Sequence, residues 1–125
     1  MMVMAHSQAT LGSINTIHHG FKVGENIDGE SAYDQSGKSV SLSGDVNTVA
    51  IGAHSNYDNG SNSGHVRVYA TNGISWIQIG DDIDGKSAGD NSGWSVSLSD
   101  DGSMMAIGAR GYGGKKGVNT GRVHV

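Results

Sequence analysis

The sequence predicts an all-β fold made of two copies of one four-stranded antiparallel unit, and three observations predict it. First, residues 22–54 recur with changes at 78–110. At a spacing of 56, 19 of 33 positions are identical, and one inserted residue later 64–68 align with 121–125. A period of this length filled with short runs marks a repeated sheet unit rather than a solitary domain. Second, the recurring runs alternate apolar and small residues, as in Ser39-Val40-Ser41-Leu42-Ser43 and Ser95-Val96-Ser97-Leu98-Ser99. That is the period-two pattern of a strand with one buried face. Third, Gly supplies 21 of 125 residues and Pro none, so tight turns fall to Gly, Asn, Asp and Ser.

Residues 1–20 precede the repeat as an N-terminal extension, and no convincing helix emerges from them. Residues 21–125 form the repeat module, with units at about 22–77 and 78–125. Residues 38–43 make the first strand, with Val40 and Leu42 on the face expected to be well buried. Residues 48–53 follow, with Val49 and Ile51 on one face. The second copy joins the equivalent strands through Asp100-Asp101-Gly102-Ser103. Asp-Gly between alternating strands signals a hairpin whose two central residues take positive φ. A Gly/Asn/Ser-rich loop at 54–63 leads to a strand at 65–70, and Asn72-Gly73 turns into a fourth at 75–79. The second copy repeats strands at 94–99, 104–109 and 122–125. Its fourth is expected from 21–24, which occupy the repeat position of 77–80.

Two four-stranded antiparallel units, the second completed by an N-terminal strand, match the blades of a β-propeller with overlapped closure. Ser, Gly and Ala inside the strands fit sheets that approach closely on both faces, so bulk at Ser41 or Gly52 is expected to be costly. Two blades do not close a ring. The open faces imply self-association of identical chains, or a longer parent chain, as the means of closure.

Composition narrows the function. The formal charge of −4 offers no basic surface for nucleic acid. Cysteine is absent, which removes disulfides and thiolate metal sites. No apolar run approaches the roughly 18 residues that span a membrane, and no signal-peptide core is visible at the start. No Gly-x-Ser-x-Gly elbow, phosphate loop or repeated acid–base set stands out, so no enzyme is expected.

Two candidate sites remain. Asp82, Asp84 and Asp90, with Asp28 and Asp34 in the first copy, form the most regular acidic group. Such spacing supplies oxygens for calcium, or else acceptors for the amides of their own turns. The loops at 54–63 and 110–120 are the longest and most divergent. Tyr57, Asp58, Asn59 and Asn62 in one, and Arg110, Tyr112, Lys115, Lys116 and Asn119 in the other, suit contact with a glycan or peptide. His54, His65 and His124 align with Arg110, Arg122 and Arg67. Exchange with a guanidinium, which cannot coordinate a metal, reads as polar surface contact.

The runs Ser36-Gly37-Lys38-Ser39-Val40-Ser41-Leu42-Ser43, Val49-Ala50-Ile51-Gly52-Ala53 and Gly64-His65-Val66-Arg67-Val68-Tyr69, with their counterparts at 90–99 and 106–109, resemble the FG-GAP propeller repeat of integrin α-subunits and many surface proteins. The resemblance covers about 21–125. Ser36 and Ser92 stand where the family has Phe, and His54 and Arg110 where it has Pro. The loops at 43–47 and 99–103 are too short and too poor in carboxylates for the family's calcium site. The resemblance implies a non-catalytic binding or adhesion module, commonly outside the cell. A ligandless structural scaffold is the alternative.

Overall fold

The computed structural model describes Met4–His6 and residues 20–112 and 121–125, and every regular element among them is a β-strand. The first sheet carries β3 (Ser39–Leu42), β4 (Thr48–Ala53), β5 (His65–Thr71) and β6 (Trp76–Gln78) in chain order, all antiparallel, with the short β7 (Ile83–Asp84) on the start of β5. A second sheet carries β8 (Ser92–Leu98), β9 (Met105–Ala109) and β10 (Arg122–His124). Apart from these, β1 (Met4–His6) pairs with β2 (Gly20–Lys22).

The repeat is visible in the register. Val40 pairs with Ile51 and Ser41 with Ala50, while Val96 pairs with Ile107 and Ser97 with Ala106. Directly opposed residues share a face. Ser39, Ser41, Ala50, Gly52, Val66 and Val68 therefore line one side of the first sheet, and Val40, Leu42, Val49 and Ile51 the other. Strand β8 lies against β3 and β4, so the side with the serines and small residues receives the second sheet. Val96, Leu98, Met105 and Ile107 of that sheet pack with Ala50, Val66, Val68 and Ile83.

Small side chains let the sheets approach until side chain meets backbone. Ser39 Oγ donates to the Gly93 carbonyl at 2.6 Å, and the Leu98 amide donates to Ser41 Oγ at 2.9 Å. A methyl group on Gly52 would overlap both the Gly93 carbonyl oxygen and Ser39 Oγ. The serines of the alternating strand are thus the closely packed side of the first sheet. Val40 and Leu42, expected on a well-buried face, are 46% and 41% exposed on the side away from the second sheet, where Val49 and Ile51 of the neighbouring strand are buried.

The turns use one device twice. In the first, Ser43 Oγ donates to Asp45, which also accepts the Asn47 amide, while the Thr48 amide donates to Ser43 Oγ. In the second, Asp101 accepts from Ser99 Oγ and from the Ser103 amide and hydroxyl, while the Met104 amide donates to Ser99 Oγ. These bonds hold the Asp101 carboxyl down at about 2, with the Ser103 hydroxyl the largest cause. The expected pair of positive-φ residues does not form. Only Val46 (φ 58°) and Gly102 (φ 74°) are left-handed, and the aspartate serves as a side-chain acceptor instead.

The strand order departs from expectation at one further point. Among the described residues the second sheet has three strands, and the N-terminal segment does not add a fourth. Its backbone pairs with Met4–His6, and the Val23 carbonyl accepts the Trp76 indole N–H at 3.1 Å. The segment is therefore held beside the outer strand of the first sheet.

Candidate functional site

Among the described residues, the densest cluster of charge forms where four segments meet beside the first sheet. Glu30 comes from the segment before β3, Asp58 from the loop between β4 and β5, His65 and Arg67 from β5, and Asp82 and Asp84 from the chain around β7. A bulge creates the meeting point. Ile79 bonds back to Val68, and Ile83 pairs with Val66, so residues 80–82 all stand opposite Arg67. Extra residues on one strand re-aim its side chains, and Gly80, at φ 72°, accepts the required backbone.

Arg67 organises the carboxylates. Its Nε and Nη2 donate to the two oxygens of Asp82 at 2.8 and 2.9 Å, and Nη2 also bonds Glu30. Gln78 donates a further 2.7 Å bond to Asp82, and Asn56 bridges Glu30 and Asp34 at 3.1 and 2.9 Å. Hydrogen bonding and charge from Arg67 hold the Asp82 carboxyl below its usual range, while the Asp82 bonds raise the guanidinium still further above its own. Hydrogen bonding between Glu30 and Asp58 lowers Glu30 and raises Asp58, and burial raises Asp58 further. Burial, aided by the charges of Asp82 and Glu30, pushes Asp84 up.

At the centre sits His65, 3% exposed. Its Nδ1 faces Asp58 at 3.4 Å, Asp82 at 3.8 Å, and Glu30 and Asp84 at 3.9 Å each. None of these makes a hydrogen bond to it. The surface role expected from its exchange with arginine is therefore incorrect for His65, which is buried.

The structure divides the acidic group expected from the sequence. Asp82 and Asp84 join His65, whereas Asp90 is buried elsewhere and accepts the Lys86 and Ser87 amides at 3.1 and 3.0 Å. Asp34 is buried against Asn56, and Asp28 is exposed. For Asp90, satisfaction of its own turn is what the side chain does.

The loop residues divide as well. Tyr57 is exposed, and Asp58 belongs to the cluster. Asn59 is spent on the Gly85 and Lys86 carbonyls at 2.7 and 3.2 Å, and the Asn62 carbonyl accepts from the backbone and side chain of Asn91. Both asparagines fasten the loop to the second unit. Arg110 lies over the Trp94 ring at 4.6 Å, and His54 makes an edge contact with the same ring at 4.7 Å. Burial, and then the charge of Lys38, lowers the His54 pKa. Arg122 stacks on Tyr112 at 3.8 Å and donates to its hydroxyl at 2.7 Å. Lys115, Lys116 and Asn119 lie outside the described residues.

Glu30, His65 and Arg67 escaped the sequence reading. One signal could have found Glu30: the second copy carries Lys86 in its place. The corresponding place in the second unit is a cleft that includes Lys86, Tyr112, Arg122 and His124. The fold repeats and the charge does not, which sets the acidic cluster apart from the architecture.

A family profile described as the FG-GAP repeat matches residues 28–69 and 83–125, one match in each unit. No curated protein and no solved structure matches the chain.

Proposed function

The chain belongs to the FG-GAP repeat family, and from that premise we propose that it is a non-catalytic interaction module whose blades stack on further copies of themselves to complete a propeller. The observation that supports this is a difference between equivalent residues. Val66 is fully buried beneath the second unit, whereas its counterpart Val123 is 70% exposed. On the opposite end, Val40 and Leu42 are exposed, whereas their counterparts Val96 and Leu98 pack against the first unit.

The two ends are therefore halves of one interface. The first sheet presents Val40 and Leu42, and the second presents Ser95, Ser97, Ala106, Gly108 and Val123, the equivalents of the side already used between the units. Open apolar surface of this kind favours association. A contact between unlike faces closes into a ring when its rotation permits.

Leu42→Glu should spoil one end and Val123→Glu the other. Each variant alone is expected to be monomeric by sedimentation velocity, while an equimolar mixture forms a dimer through the one intact pair of faces. Mixing without any change in mass would reject head-to-tail stacking.

A second reading is ligand binding by the loop at 54–63, toward a glycan or an extracellular protein. It is favoured by the exposed ring of Tyr57 beside the acidic Asp58. Loss of glycan-array binding in Tyr57→Ala would support it, and an unbound array with the parent protein would leave a scaffold without ligand.

A further inference from the structure

We propose that His65 Nδ1, with the carboxylates of Glu30, Asp58, Asp82 and Asp84, forms a binding site for a divalent first-row transition-metal ion. The reading is independent of blade stacking, because it rests on the acidic cluster beside the first sheet and not on the open faces.

Two separate observations meet at this place. The first is the clustering: Glu30, Asp58, His65 and Asp82 each offer one ligand atom, and all four atoms lie within 4.8 Å of one another. The second is the imidazole. His65 is 97% buried, and its Nδ1 is without a hydrogen-bond partner while pointing among four carboxylates at 3.4 to 3.9 Å. A buried polar nitrogen with no partner loses its hydration without recompense, and coordination removes that cost.

The spacing suits an ion. Zinc holds imidazole nitrogen and carboxylate oxygen at about 2.0–2.2 Å, which places neighbouring ligand atoms about 3–3.5 Å apart. The carboxylate oxygens would need to close on Nδ1 by only a few tenths of an ångström, and those of Glu30, Asp58 and Asp82, which lie within 4.8 Å of one another, would draw together by up to about 1.3 Å. Charge points the same way. Four carboxylates face one another, and among the described residues Arg67 is the cation ion-paired to them, through Glu30 and Asp82. A divalent ion would relieve the remaining repulsion.

The outer partners are also in place. Arg67 and Gln78 bond Asp82, and Asn56 and Arg67 bond Glu30. Hydrogen bonds of this kind fix the orientation of metal-ligating carboxylates. The donor set selects the class of ion: imidazole favours zinc and its first-row neighbours, whereas calcium takes oxygen ligands. This site differs from the calcium group suggested by spacing alone, since it gains Glu30, Asp58 and His65 and excludes Asp90.

The test is titration calorimetry of the intact chain with Zn²⁺, and separately with Mn²⁺ and Ca²⁺. One Zn²⁺ per chain is expected, bound more tightly than Mn²⁺ and much more tightly than Ca²⁺. Asp58 and Asp84 are exposed, so Asp58→Asn and Asp84→Asn should keep the fold and weaken Zn²⁺ by tenfold or more. His65→Gln should abolish binding, with far-ultraviolet circular dichroism confirming its sheets. Absence of Zn²⁺ and Mn²⁺ binding would overturn the proposal. So would binding unchanged in Asp58→Asn and Asp84→Asn, or a preference for Ca²⁺.

Discussion

Gly52 carries much of the close fit between the two sheets at the cost of having no side chain. Its Cα lies so near the Gly93 carbonyl and Ser39 Oγ that a methyl group overlaps both, and a backbone carbonyl within a sheet yields little. Gly52→Ala should lower stability by about 1–3 kcal/mol, the usual range for overpacking, seen as a lower urea midpoint with an unchanged slope. An unaltered midpoint would mean that the sheets are not in this contact. Gly52 was legible in the sequence because the repeat writes it twice, as Gly52 and Gly108, amid serine and alanine. The cluster around His65 was not legible. Its members are scattered from position 30 to position 84, and one bulge brings them together. Alignment of the two copies also misled, since the arginine at position 122 makes its histidine counterpart resemble a surface residue.

At the level of strands and turns, the pattern gave both hairpins but not their chemistry. Asp101-Gly102 suggested a turn with two left-handed residues, whereas the aspartate works through its carboxylate and only the following residue is left-handed. This leaves Val46 exposed and β-branched at a φ of 58°, where its counterpart is Gly102. A left-handed L-residue costs about 1–2 kcal/mol, partly offset by the entropy glycine loses on folding. Val46→Gly should therefore stabilise the protein by about 0.5–1 kcal/mol in thermal or urea unfolding. Destabilisation would show instead that the valine side chain is needed for packing. Strand β7 was missed because two residues after a bulge carry no periodicity. The N-terminal strand was assigned to the second sheet by repeat position alone, a criterion blind to its competing partner at Met4–His6.

On the scale of the whole chain, sequence identity between the units implied more than their shared fold. Equivalent side chains should meet equivalent surroundings, and at the junction between the sheets they do not. Val66 and Val123, or Leu98 and Leu42, differ in burial because one of each pair faces the other unit and its twin faces solvent. Blade architecture and small-residue packing were legible in advance. Which side of the alternating strand would be buried was not, because period-two alternation defines two faces without saying which one meets a neighbour. The measurement that tests the central claim most directly is the solution mass of the intact 12.9 kDa chain by light scattering at micromolar concentration. Stacking through unlike faces predicts a discrete assembly of several copies, three for six blades or four for eight. A stable monomer would contradict it.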